Sequence, residues 1–368
     1  MSIDREEVPG EEARELLGTL LQAALELEFA TIPPYLSAAL SLGNSNKEIL
    51  FAILRAAKEE MLHMTIVANL MNAIGIAPDI IKAAPDYPYK LEMLESDLEV
   101  YLSSFSFDLI ENLFMRIETP EDPVDFGITE QEPETIGQFY EQIIAIIQSE
   151  KIPDLFRDAE TNKFKQVTFS IQFSKIKYKN NQDDYDYPLR EGYDFIITNK
   201  EAAVGYLSWI VDQGEGSIDP GEDSPNYNPL TVEGVPSHFY RFKSILEGKY
   251  LIADDTAPNK FSYSGGDIPF SAEGIIEFAN NVKAEQFDEY PDLQEAMMWF
   301  NEQYSEMVNQ LNLAFNPSSR EEKDQAYNTA LNIMQGMRTL ASDVFFEANS
   351  SGIKAGIPFQ YIDGGVNS

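Results

Sequence analysis

The chain has no cysteine, two histidines, and only 26 Lys and Arg against 62 Asp and Glu in 368 residues. Each scarcity excludes something. Without Cys there is no zinc finger, iron–sulfur centre, thiol nucleophile or disulfide scaffold. A formal net charge of −36 repels polyanions and leaves few bases to neutralise phosphates, so nucleic acid is not an expected partner. No stretch reads as the roughly 18 apolar residues of a membrane span. The opening MSIDREEVPGEEARE is acidic and lacks the apolar segment of a secretory signal. These features predict a cytoplasmic chain with no membrane or nucleic-acid partner.

What is plentiful is apolar and aromatic. Hydrophobic residues make up 43% and aromatics 12%, enough for a sizeable core. The length allows one large domain or two ordinary ones. No repeat of fixed period is visible, and residues 1–368 read as one unit.

The pattern is mainly helical. Residues 11–42 carry Leu17, Leu20, Leu21, Ala24 and Leu25 at helical spacing. Pro33 and Pro34 remove two backbone donors and predict a kink or an end there. Residues 47–74 form a second helix, stopped by Gly75 and Pro78, and the two read as a helical hairpin. A third helix is predicted over 97–118, ended by the Pro120–Pro123 run, and another over 136–148. In Val167, Phe169, Ile171 and Phe173 the apolar spacing changes to two, predicting a small β insertion over 163–178. It lies inside a longer insertion over 120–195. Residues 199–247 read as a helix broken by a loop rich in Pro, Gly, Asp and Asn. Two long C-terminal helices close the chain over 290–349.

The chemistry concentrates in four places. Glu60-Met61-Leu62-His63 is an E-x-x-H element, whose spacing puts both side chains on one helix face within reach of one metal ion. Ile53, Ala56, Ala57, Met64 and Val67 make that face apolar, and a carboxylate there is costly unless protonated, paired or metal-bound. Glu59, with Arg55, reads as a solvated neighbour. Glu28 falls in the apolar stripe of Leu21, Ala24 and Leu25, whereas Glu26 reads as exposed. Glu118 and Glu111, seven residues apart, predict one shared face of the third helix. Glu118 is favoured because it sits at the helix end, and Glu111 is the reserve. Gln213-Gly214-Glu215-Gly216 is followed by His238, and Glu215 with His238 reads as a second Glu/His element opened by a long loop. Taken singly, each has an ordinary structural explanation: an ion pair, a satisfied core histidine, a helix-end acid, a turn. Together Glu28, Glu60, His63, Glu118, Glu215 and His238 make the ligand inventory of a carboxylate-bridged dimetal site in a helix bundle. Both histidines of the chain belong to it.

These elements resemble the ferritin-like superfamily, and more narrowly the ferritin-like domain of the iminophenyl-pyruvate dimer synthase family, the bisindole-forming proteins of violacein- and rebeccamycin-type pathways. The matching text is LELEFATIPPYL at 25–36, EEMLHM at 59–64 with Asn69 and Asn72 beyond it, FMRIETPE at 114–121, IVDQGEG at 210–216 and HFYRF at 238–242. The resemblance implies a ferritin-like four-helix bundle with additional C-terminal helices and a small β insertion. It implies two Fe ions on the six residues above, and O2 or peroxide chemistry on a small-molecule substrate, up to oxidative coupling of an imine derived from an aromatic amino acid. Carboxylates and imidazoles also suit Mn. Two other functions fit a bundle of this kind: iron handling with ferroxidase activity, and a metal-free interaction module.

Overall fold

The computed structural model describes residues 10–363 apart from 92–97, 121–134, 169–177, 181–182, 186–193, 220–225, 233 and 258. Helices dominate it. The described strands form four separate two-stranded antiparallel ladders of two or three residues per strand.

Helices α1 (Gly10–Leu40) and α2 (Lys47–Ala73) form a hairpin along most of their length. Leu17, Leu21, Ala24 and Leu25 of α1 are fully buried, as the helical spacing predicts. The helix does not end at Pro33 and Pro34, and both prolines lie inside it. Pro34 lacks the N–H that would bond the Ala30 carbonyl, and the Tyr87 hydroxyl donates to that carbonyl instead, at 2.7 Å. By length and composition α1 is apolar enough to cross a membrane, contrary to the sequence expectation, but 61% of its apolar window is buried inside the protein. Core packing accounts for that apolar character.

The third bundle element, α3, spans 107–117 and begins ten residues later than predicted, because Glu99–Val100 pairs as a strand with Tyr89–Lys90. Between its α-helical ends, Phe107–Leu109 and Met115–Ile117, runs a π-helical turn, Ile110–Phe114. Helix α4 (Ile136–Gln148) starts with a capping box between Thr135 and Gln138. Helix α5 (Lys200–Glu215) is capped by the Asn199 side chain on Ala202 N–H. It ends at Gly216, whose φ of 101° and approach to the Asn228 carbonyl admit no Cβ. Helix α6 (His238–Glu247) packs on α2, on α5 and on the π turn.

Helices α7 (Pro291–Phe315) and α8 (Arg320–Ser351) form a second hairpin. Asn72 of α2 donates to the Phe315 carbonyl at 2.9 Å, and Asn312 accepts from Ile80 N–H at 3.1 Å, fixing this hairpin to the first. Asn69 of α2 exchanges hydrogen bonds with the Val167 backbone and donates to the Phe195 carbonyl, so both asparagines after the E-x-x-H element work as backbone clamps. The alternating segment that predicts a β insertion lies, from Phe169 on, outside the described residues. Just beyond it Tyr178–Asn180 pairs with Asp183–Tyr185.

Candidate metal centre

α1, α2, α3 and α6 bring six charged or titratable side chains into contact in the core: Glu28, Glu59, Glu60, His63, Glu118 and His238, each at most 4% exposed. All but Glu59 divide into two groups that share one carboxylate. In Glu28, Glu60 and His63, and again in Glu60, Glu118 and His238, one ligand atom per residue lies within 4.8 Å of the other two. The Glu60 carboxylate is split between them. Its Oε2 is 3.4 Å from His63 Nδ1, and its Oε1 is 2.8 Å from His238 Nδ1. The imidazoles lie nearly parallel, with centroids 5.8 Å apart.

Each imidazole is oriented by its far nitrogen. His63 Nε2 meets the Gln213 side-chain oxygen at 3.2 Å, and its Nδ1 faces Glu28 and Glu60 at 3.4 Å each. His238 Nε2 meets Glu59 Oε2 at 2.9 Å, and its Nδ1 faces Glu60 at 2.8 Å and Glu118 at 3.3 Å. With Nε2 as the donor, a neutral ring turns the Nδ1 lone pair toward two carboxylates. That arrangement is repulsive unless a cation, a proton or a metal ion, lies among them.

The electrostatics agree. Burial pushes the Glu28 carboxyl up to about 8, with repulsion from Glu60 adding to the shift and the pairing with His63 opposing it. Burial disfavours the His63 imidazolium, but the Glu60 and Glu28 carboxylates outweigh it and lift the group to about 10. His238 is likewise raised well above the usual imidazole range against its burial, chiefly by Glu118. Burial works against Glu60 ionising, yet the two imidazoles hold it below the ordinary carboxylate range. Two tyrosines complete the surround. Tyr140 of α4 donates to Glu28 Oε1, and Tyr35 of α1 donates to Glu118 Oε1 at 2.5 Å.

Two candidates from the sequence lie elsewhere. Glu111 is exposed. Seven residues of regular helix would return it to the face of Glu118, but the π turn holds a surplus residue and swings the face by about 100°. Glu215 is buried yet belongs to neither group. Its Oε1 accepts the Gly137 N–H at 2.6 Å at the start of α4, where unpaired helix N–H groups attract a carboxylate. A Cβ on Gly137 would lie 2.5 Å from Glu215 Oε2, so this contact needs glycine.

Glu59 is the main correction. Read as solvated, it is 1% exposed. It accepts from Arg55 Nε at 3.0 Å and Arg241 Nη1 at 2.6 Å as well as facing His238. Against the penalty of burial, the two guanidiniums hold its carboxyl well below the usual range. Arg55 four residues before it and Arg241 three after His238 were the available signal, since bases on apolar stripes are rare in this chain. Gln213 and Tyr140 had no comparable signal.

The carboxylate and imidazole donors fit metal ions of the Fe or Mn kind. Glu28, Glu60 and His63, or Glu60, Glu118 and His238, could hold a metal ion, with Gln213 and Glu59 orienting the rings. A helix bundle that lines its interior with carboxylates and histidines on facing helices belongs to the ferritin-like class of folds. The chain is a member of the Ferritin-like family, whose model matches residues 21–247. A crystal structure of a ferritin-like protein from Caulobacter vibrioides is similar in fold, with a TM-score of 0.57 and 19% identity, over 94% of this chain and 97% of that one. No curated protein matches the chain.

Proposed function

We propose that the protein is a dimetal oxidoreductase of the ferritin-like family, binding two Fe or Mn ions through Glu28, Glu60, His63, Glu118 and His238. The observation that carries this reading is the orientation of both histidines. Two independent side chains, Gln213 and Glu59, hold the far nitrogens so that both Nδ1 atoms face the shared Glu60 and one further carboxylate each.

Bound Fe or Mn supplies the electron transfer to O2 or peroxide. The chain's own residues do the rest. Glu60 couples the two halves. Tyr140 Oη and Tyr35 Oη donate to Glu28 Oε1 and Glu118 Oε1 and fix the aim of both carboxylates. Tyr35, Phe114 and Phe242, packed edge to face or tilted at 4.5–5.3 Å, make a dry wall beside Glu118. The substrate class we assign is a small aromatic or amino-acid-derived molecule, up to oxidative imine coupling. Its support is the motif text shared with the iminophenyl-pyruvate dimer synthase proteins.

The test is metal loading. After anaerobic addition of Fe(II) and desalting, we expect about two ions per chain, and O2 uptake on exposure to air. Protein that retains no iron or manganese after loading at neutral pH would refute the assignment.

A further inference from the structure

A second cavity has no part in that chemistry. It lies on the opposite face of α2, where Leu54, Lys58 and Met61 point away from Glu60 and His63, and it is covered by α8. Its volume is about 840 Å³, within the roughly 300–1,000 Å³ of small-molecule sites. The walls are apolar, with Leu36 of α1, Met61 of α2 and Met334 of α8 among them. These three also line a smaller chamber further in, of about 70 Å³, that ends at the buried Tyr304. The apolar surface is therefore continuous from solvent into the core.

The charge of the lining is the anomaly. About one residue in six of the chain is Asp or Glu, yet among the described residues no carboxylate lines this cavity, while Lys58 and Arg338 do. Arg338 is exposed and Lys58 half-buried, so both stand toward solvent. Among the described residues neither forms a salt bridge, although the chain carries 62 acids against 26 bases. Two cations without a salt bridge, both turned toward solvent on the lining of an apolar cavity, match a ligand with an anionic head and an apolar tail.

We infer that this cavity binds an anionic amphiphile, a carboxylate on an alkyl chain, with the head between Lys58 and Arg338 and the tail along Leu36, Met61 and Met334. The site is independent of the metal centre, so it stands or falls separately from the function proposed above.

Binding of dodecanoate to the whole chain, below its micellar concentration and at about 0.15 M salt, tests the assignment by calorimetry. Dodecanol and dodecyltrimethylammonium share the tail and differ in head charge. The net charge of the protein favours the cation, so a preference for dodecanoate has to come from the cavity itself. We expect dodecanoate to bind about tenfold or more tighter than either, and Lys58→Met and Arg338→Gln each to weaken it about tenfold. Dodecanol binding should be unchanged in both variants. Met334→Trp, which fills the trough, should abolish binding of dodecanoate and dodecanol alike while far-ultraviolet circular dichroism and metal content stay as in the parent. Equal binding of the three probes, or dodecanoate affinity unchanged in both charge variants, would overturn the proposal.

Discussion

The two halves of the buried cluster use the same parts and back them differently. In one, His63 is steadied by the neutral amide of Gln213. In the other, His238 is steadied by Glu59, itself clamped by Arg55 and Arg241. An imidazole hydrogen-bonded to a carboxylate is more basic and a stronger ligand than one bonded to an amide. The half around Glu118 and His238 should therefore hold its ion more tightly. The half around Glu28 and His63, where Glu28 takes up a proton near pH 8, should exchange more readily. In the dimetal reading proposed above, such a pair would offer one ion as anchor and the other as the more changeable partner.

The severest way to break the comparison is at the group both halves share. Glu60→Gln keeps the shape but removes the bridging charge. Both ions should be lost, each bound at least about 100-fold more weakly, whereas Glu28→Gln or Glu118→Gln should weaken mainly one. Metal analysis after dialysis decides it, and a variant that keeps either ion at parental affinity would show that Glu60 is not shared.

A finer cut goes through the backing residues. Glu59→Gln should weaken the His238 half about 10- to 100-fold and leave the His63 half nearly unchanged. It should also destabilise the fold by roughly 3–5 kcal/mol, because two guanidiniums lose their buried partner. Gln213→Glu should narrow the gap between halves by strengthening the His63 side. Two-site metal titrations read both effects, and identical isotherms for the two variants would remove the asymmetry argued above.

The smallest expected effect is on the metal-free protein as pH changes. Glu28 is raised from 4.5 to about 8 and His63 from 6.5 to about 10. A raised group gives stability that is complete below its unfolded value and lost as pH climbs through its folded value. Glu59 and Glu60 are lowered, so their share is present above about 4.5 and lost in acid. Thermal midpoints in chelator should thus peak near pH 4.5, decline from there as Glu28 is forced to ionise, and fall further above about 6.5 as His63 joins it. Metal replaces those protons, so the loaded protein should lack the alkaline decline. A flat profile in chelator would contradict the buried proton assignments.

Much of this centre could be read from spacing. Glu28, Glu60 and His63 lie on regular helix, where position along the chain fixes direction, and the structure brings the three together. The bounds of α2 and α4 also follow from the pattern within a residue. The failures share a cause. Glu111 was misplaced because a π turn adds a residue that no periodicity records. Glu59 was misread because α2 is covered on nearly every side, so its second polar face is buried as well. Glu215 was drawn to α4 by backbone N–H groups, and backbone donors leave no mark in a side-chain pattern. Helix α1 ran through two prolines because Tyr87, 57 residues away from Ala30, supplied the missing donor.

The π turn in α3 has a further consequence, for how such a protein can change over generations. Helix residues 110–114 hold one residue more than the cylinder needs, so the aim of Glu118 is set by a count as much as by any side chain. Substitution alters what a ligand is; gain or loss of a single codon in this stretch would alter where it points. That makes the segment a tuning screw for the site, turned by insertion and deletion rather than by exchange of one side chain for another.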